Sequence, residues 1–354
     1  MMELAGIDML EPSDGIPVVR NELEAGTRGE VVVGGALGIL MQEWDETGGL
    51  DLAKLQSVNR GLMTSNVVSM GIHTGLRVET TLDPREQPFL YDHKIGGTPV
   101  LPGVMGIEGF GEITKALFPD WHIRAIEAID FLAPFKFYRD EPRTLTLTAQ
   151  LSGEGDDLVA CCRLIGVRTI MGKDDVKTHF SATVRLGREP LEKDQSSAPP
   201  PAKGTTVEDK DIYEVYFHGP AYQVLDTAWR DNGVVVGRMS AELPIDRQPA
   251  EMRLVTEPRL VELCFQTAGV WQIGTTGRMG LPQHIDWVKI VRSAEEVEGR
   301  LHAVVTPKDG GTSYDAYVAD EAGNLYVELH GYTTAELPDD VDPDKRKPLR
   351  EAMD

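Results

Sequence analysis

Asp92-His93-Lys94-Ile95-Gly96-Gly97-Thr98-Pro99-Val100-Leu101-Pro102-Gly103-Val104-Met105-Gly106-Ile107-Glu108 is the stretch around which the rest of the chain can be organised. Phe89-Leu90-Tyr91 lead like a strand into a histidine, a glycine- and proline-rich loop follows, and the loop runs into a helix predicted over 103–117. Pro99 and Pro102 fix φ and withhold an N–H, while Gly96, Gly97 and Gly103 permit close or left-handed backbone paths. Such a loop is stiff without being bulky, which suits one imidazole held beside a substrate. Taken alone it serves equally as a turn with an incidental histidine. The helix carries Val104, Met105, Ile107, Phe110, Ile113 and Leu117, with Glu108 inside it. A helix so apolar belongs in the middle of a wrapping sheet.

Outward from this stretch the pattern is of strands. Leu76, Val78 and Thr80 alternate with polar residues upstream, and strand signals follow at 126–137, 143–151, 158–170 and 176–186. Residues 188–207, with three consecutive prolines from Pro199, read as a linker. The second half then replays the first. A helix over 257–273 contains Glu262, and strands follow at 285–290, 301–305, 313–318 and 325–333. Glu108 and Glu262, Ile129-Asp130-Phe131 and Ile285-Asp286-Trp287, and His179 and His330 are matching pairs at a spacing of about 150 residues, which marks an internal repeat. Each unit is one buried helix against roughly five strands. Residues 1–20 read as a loose beginning, and the charged residues 338–354 as a disordered tail.

The chain has 354 residues, with 35 Lys and Arg against 57 Asp and Glu, for a net charge of -22. That balance argues against nucleic acid and against an anionic membrane surface as partners. An acidic partner protein would need a local basic patch. Three cysteines, two of them adjacent, form neither a disulfide framework nor a zinc signature. With no signal-peptide pattern and no apolar run approaching a bilayer span, the expected location is cytoplasmic. Gly34, Gly35 and Gly38 do not fit GxGxxG, so nucleotide binding is not expected.

A histidine and a carboxylate near an apolar helix can form an acid–base pair. Burial should raise the carboxyl pKa and let it donate a proton to a leaving hydroxyl. The unpaired N–H groups of Gly103 and Val104 could receive a developing enolate oxygen. These parts suit loss of a proton alpha to a carbonyl together with a beta-hydroxyl. Spacing alone leaves both Glu108 and Glu262 open as the carboxylate. His73, His122, His284 and His302 lack ligand spacing and are expected at the surface or at edges; His179 and His330 are expected to pack across strands.

His93, Gly97 and Pro102 resemble the HxxxGxxxxP motif of the dehydratase domains of polyketide and polyunsaturated fatty acid synthases. The likeness spans about residues 70–335 and implies an α+β double hotdog, two tandem repeats in which a sheet wraps a long central helix. It implies that His93 faces an acid on the second helix, within a DxxxQ motif matched here by Glu262-Leu263-Cys264-Phe265-Gln266, with glutamate in place of aspartate. Gln266 would orient the acid or the substrate hydroxyl. His218-Gly219-Pro220-Ala221-Tyr222 resembles the YGPxF turn that borders the family's substrate tunnel, with histidine in place of tyrosine. The expected activity is dehydration of a 3-hydroxyacyl thioester to a trans-2-enoyl thioester. No bound cofactor is expected, the substrate being carried on the phosphopantetheine arm of acyl carrier protein. A dehydratase–isomerase and a catalytically degenerate, carrier-binding domain are the alternatives. Homodimers are common in the family. Glu22-Leu23, Gly29-Glu30-Val31-Val32-Val33 and Gly38 resemble the closing strand of a ketoreductase. The expected organisation is a ketoreductase tail and connector over 1–60, hotdogs over 70–187 and 208–337, and the linker 188–207 between them.

Overall fold

A computed structural model describes residues 8, 10–26, 31, 33–34, 53, 55–56, 61–71, 75–170, 173–297 and 299–354. Two apolar helices, Gly103–Leu117 and Pro258–Thr276, form the centre, and most side chains of both are buried. Four glycines punctuate the first helix, each at a helix-propensity cost of about 1 kcal/mol relative to alanine. Close packing explains three of them: a Cβ would lie 2.7 Å from the Phe131 ring on Gly103, 2.3 Å from the Phe180 ring on Gly106 and 2.7 Å from the Thr256 methyl on Gly111.

The first half contributes β1 (Asn66–Gly71), β2 (Gly75–Leu82), a small hairpin of β3 (Lys94–Ile95) and β4 (Thr98–Pro99), and after the helix β5 (His122–Phe131), β6 (Arg143–Glu154), β7 (Asp157–Ile170) and β8 (Lys173–Gly187). The second half contributes β9 (Thr206–Glu208), β10 (Leu225–Asp231), β11 (Val234–Met239), and after its helix β12 (Arg278–Ile290), β13 (Leu301–Lys308), β14 (Ser313–Asp320) and β15 (Leu325–Asp340). The main sheet is antiparallel, in the order β1-β2-β6-β7-β8-β5-β12-β15-β14-β13-β11-β10-β9. Leu76, Val78, Thr80 and Leu82 of β2 all point inward, as the alternation required.

The halves join where β5 pairs with β12, and Ile129 lies opposite Ile285. These are repeat-equivalent residues, so the internal symmetry axis passes between them. The fold is therefore the expected α+β double hotdog.

Four expectations need correction. Phe89-Leu90-Tyr91 belong to a short helix, Pro88–Tyr91, rather than to a strand leading into His93. Residues Pro12–Ala25 form a helix with no buried residue, rather than a loose start. The tail is ordered: β15 runs to Asp340, and a helix Pro343–Met353 buries Leu349, Ala352 and Met353. Its charges have fixed work. Asp342 caps it by accepting from the Asp344 and Lys345 N–H groups, and Arg346 donates to the carbonyls of Gly274 and Thr275 at the end of the second central helix. His302, expected at an edge, is only 7% exposed and packs against Trp229. His179 does pack, against Phe135, and His330 stacks on Trp287. His73 lies outside the described residues, as do Gly29, Glu30, Val32 and Gly38 of the ketoreductase-like stretch, while its Glu22 and Leu23 belong to the helix Pro12–Ala25 rather than to a strand. Among the described residues no helix is long and apolar enough to cross a membrane.

Candidate active site

The loop after His93 owes its shape to Gly96 and Gly97, with φ of 57° and 78°. Two consecutive left-handed residues make the tight turn that joins β3 to β4. The hairpin returns Val100 to His93: the Val100 N–H donates to the His93 carbonyl at 3.0 Å, and His93 Nδ1 lies 2.7 Å from the Val100 carbonyl oxygen. A carbonyl only accepts, so Nδ1 carries the hydrogen and Nε2 keeps its lone pair. Nε2 has no protein partner among the described residues and is not sealed from solvent.

His93 and Glu262 line one cavity of about 230 Å³. Its other walls come from both halves and are mainly apolar, including Leu101, Phe131, Phe180, Phe265 and Tyr332. Glu262 Oε1 accepts from Gln266 Nε2 at 2.9 Å and lies 3.2 Å from His218 Nε2. Oε2 has no protein partner among the described residues, which leaves it for a ligand. Gln266 is fully engaged: its Nε2 also donates to the Tyr222 carbonyl, and its Oε1 accepts from Tyr213 Oη. The carboxylate is thus aimed by a clamp of known polarity.

Burial pushes the His93 pKa down to about 4, with the charge of His218 adding to the effect and that of Glu262 opposing it. His93 is therefore a neutral base near pH 7. Burial alone would raise the pKa of Glu262. The hydrogen bond and charge of His218, the charge of His93 and the Gln266 amide outweigh that, and hold it below the ordinary carboxylate value. This reverses the expectation of a raised, proton-donating carboxyl.

The other anticipated residues are placed unevenly. Gly103 lines the cavity at the first turn of its helix, and the Gly103 and Val104 N–H groups have no backbone acceptor among the described residues. The Val104 side chain is fully buried and off the cavity wall, and Pro102 is the cap before the helix. Gly97 acts through the turn alone. Of the 218–222 turn only His218 reaches the cavity. Gly219 and Ala221 donate instead to the Asp92 carbonyl and carboxylate, which latches the turn to the His93 loop, and Pro220 starts the short helical turn between them and Gln223. Tyr222 is buried behind His93, ring centroids 6.3 Å apart. Glu108 is not at the site; its carboxylate accepts from Val255 and Thr256.

Sequence reading missed Asp92 as the latch, Tyr213 as the anchor of Gln266, and Phe217, whose ring meets His93 edge-on at 5.1 Å. Asp92 sits beside His93 and Phe217 beside His218, so adjacency was the available signal for both; Tyr213 had none. Among the described residues no group of three or more His, Cys, Asp or Glu could hold a metal ion.

Two family descriptions match the chain, "Polyketide synthase dehydratase domain" over residues 61–160 and "Polyketide synthase dehydratase N-terminal domain" over residues 187–344. One polyunsaturated fatty acid synthase polypeptide, from Thraustochytrium, is 22% identical over 263 residues, covering 72% of this chain and 9% of its own length. A phenolphthiocerol/phthiocerol polyketide synthase polypeptide from Mycobacterium tuberculosis is 27% identical over 263 residues, covering 69% of this chain and 14% of its own. The chain thus spans a small part of these relatives. Among solved structures, the dehydratase domain from the CurF module of the curacin polyketide synthase superposes with a TM-score of 0.65 at 16% identity, covering 79% of this chain and 100% of that one. A trans-AT polyketide synthase dehydratase domain from Brevibacillus brevis gives 0.64 at 18% identity, covering 78% and 98%.

Proposed function

We propose, from the premise that this chain is a dehydratase domain of the polyketide and polyunsaturated fatty acid synthase type, that it dehydrates a 3-hydroxyacyl thioester to a trans-2-enoyl thioester. The substrate would arrive on the phosphopantetheine arm of acyl carrier protein. The observation that carries the reading is the His93 tautomer: Nδ1 is tied to the Val100 carbonyl, and a bare Nε2 shares the cavity with a carboxylate.

His93 Nε2 takes the C2 proton. Negative charge developing on the thioester oxygen is met by the free N–H of Gly103, supported by that of Val104. Glu262, held ionised, accepts a hydrogen bond from the C3 hydroxyl through Oε2 and so orients it rather than protonating it. The imidazolium returns the same proton to the departing oxygen. The C3–O bond breaks, its electrons leave with the water, and the C2–H pair forms the double bond. One proton enters and leaves His93, so the enzyme ends as it began.

Support for this division of roles is electrostatic. With Glu262 ionised and His93 neutral, the proton taken from C2 is one that His93 itself can return, and a single shuttling base satisfies the balance. The test is to incubate the protein with carrier-linked 3-hydroxybutyryl and 3-hydroxyoctanoyl groups and read the intact carrier mass. Loss of one water, abolished in His93→Ala, is expected; an unchanged mass with the unaltered protein would refute the reading.

The likeness of Gly29-Glu30-Val31-Val32-Val33 and Gly38 to a ketoreductase strand, which loses Glu22-Leu23 to the helix Pro12–Ala25, further suggests that a ketoreductase precedes the dehydratase. A chain extended upstream should then reduce a 3-ketoacyl thioester with a nicotinamide donor, and absence of reduction would remove that assignment.

A further inference from the structure

The chain carries far more acidic than basic side chains, so a surface where cations gather without counter-ions calls for a cause. One arginine group, near the start of the second central helix, is internally satisfied. Arg247 pairs with Asp246 at 2.7 Å, Arg259 with Asp246 at 3.3 Å and Arg253 with Glu295 at 3.7 Å, while Arg292 donates to the carbonyls of Lys193, Asp194 and Leu325. That group braces loops.

A second group does not. Lys136, Arg139, Arg143 and Arg168 line one shallow depression together with Tyr138, Glu141 and Pro142. None of the four cations makes an ion pair among the described residues. Arg143 donates to the Lys136 carbonyl and lies over the Phe135 ring at 3.8 Å, and Arg168 lies over Tyr138 at 4.9 Å. These contacts hold the guanidiniums in place without neutralising them. Arg143 and Arg168 are close enough that, after burial, the charge of Arg168 is the next cause lowering the Arg143 pKa. The acidic residues nearby are Glu141, Asp175 across the strand from Arg168, and Asp140, which faces Lys94 at 3.7 Å.

The location matters as much as the charge. Leu132, Ala133 and Pro134 form one wall of the cavity, and Leu132 is 59% exposed, so the cavity meets solvent there. Two residues beyond Pro134 comes Lys136, bridged to Val100, whose carbonyl holds His93. The uncompensated cations therefore begin at the cavity mouth, on the same segment that forms its wall. Tyr138, 49% exposed, adds an apolar face between them.

We propose that this surface docks an acidic carrier protein, with the phosphodiester of its arm against Arg139 and Arg168 and the arm passing Leu132 into the cavity. The proposal rests on the dehydratase reading for the identity of the cargo. Its physical basis stands apart: like charges held together repel, a polyanion relieves that repulsion, and guanidinium presents a fork that fits phosphate. In a chain of net charge -22, a local positive field at the mouth also steers an acidic partner to the one productive orientation.

The test compares the unaltered chain with Arg139→Glu/Arg168→Glu and, as a control, Arg247→Glu/Arg253→Glu. Binding of an acidic acyl carrier protein bearing 3-hydroxyoctanoyl-phosphopantetheine is measured at low and moderate salt. Turnover is measured on that substrate and on the same acyl group carried by N-acetylcysteamine, which has neither protein nor phosphate. Reversal at 139 and 168 should cut carrier binding and carrier-borne kcat/KM by about tenfold or more and flatten their salt dependence. Turnover of the small thioester should stay unchanged. Unchanged carrier binding, or an equal loss in the control, would overturn the proposal. So would an equal loss on both substrates, repeated in the milder Arg139→Gln/Arg168→Gln. Should the unaltered chain dehydrate neither substrate yet lose carrier binding on reversal, the docking surface stands and the dehydratase reading falls.

Discussion

The two central helices carry a pair of polar residues at equivalent places, one turn apart, and use them in opposite ways. On the first helix Glu108 accepts from the Val255 and Thr256 N–H groups and the Thr256 hydroxyl, and Glu112 accepts from the Leu62 and Met63 N–H groups and the Thr64 hydroxyl. Every carboxylate oxygen there is occupied, and each side chain stitches a loop to the core. On the second helix Gln266 clamps Glu262 through one oxygen and the other is left over. The same buried position thus makes a structural staple or a carboxylate left open to a cavity, the one we propose as reactive. The difference lies in whether an acceptor remains unspent beside a cavity.

That contrast can be broken by exchange of the two glutamates' fates. Glu262→Gln should lower kcat/KM for carrier-borne substrate by roughly 10²–10³-fold while leaving the folded state intact. Glu108→Ala should leave the turnover of folded protein near normal, measured per active site. A comparable activity loss from Glu108→Ala in folded protein would erase the distinction.

Stability should show the opposite ranking. Glu108→Ala strands two backbone N–H groups and a hydroxyl in the core, at about 1–3 kcal/mol for each group left unsatisfied. Urea denaturation of both variants checks this, with Glu262→Gln expected to shift the midpoint much less.

His218 decides how the clamp holds its charge. Burial raises the Glu262 pKa, and the hydrogen bond and charge of His218 are the leading causes that bring it down, so His218→Phe should raise it. Activity that needs the ionised carboxylate would then fail at a higher pH on the acid side, whereas His93 stays neutral down to about pH 4 in the unaltered protein. We expect about a tenfold loss at neutral pH, recovered in part as pH rises. An unshifted acid limb in the pH–kcat/KM profile would separate His218 from Glu262.

The smallest effect concerns the staple. Burial, then the charge of Glu108, raises the Glu112 pKa from 4.5 to about 8. The folded state therefore holds this proton more tightly than the unfolded chain does, and stability from it is full below pH 4.5 and is lost as pH climbs through about 8. Glu112→Gln should flatten that decline in Tm across the window. Persistence of the full slope would assign it to other groups.

Much of the fold was legible because it is written in periodicity. The first helix runs from Gly103 to Leu117 as its apolar run required, and the Ile129/Ile285 correspondence is the junction of the two halves. The ordered C-terminal helix was not legible, since Arg346 gains its partner only when the end of the second central helix lies beside it. At the site, His93, Glu262 and Gln266 were found through a motif, and they do share one neighbourhood. The protonation state of Glu262 was not, because it depends on His218 reaching across from a distant turn. Sequence spacing holds no record of that contact.

Everything proposed for the chemistry depends on one site being assembled from a base in the first half and a carboxylate in the second. A double-mutant cycle on kcat/KM with carrier-borne 3-hydroxyoctanoyl substrate, using His93→Ala and Glu262→Gln, puts that dependence to the test. Large losses are expected from each single change, with a double variant no slower than the worse single. Multiplying losses in the double variant, or full activity in either single one, would contradict a shared site.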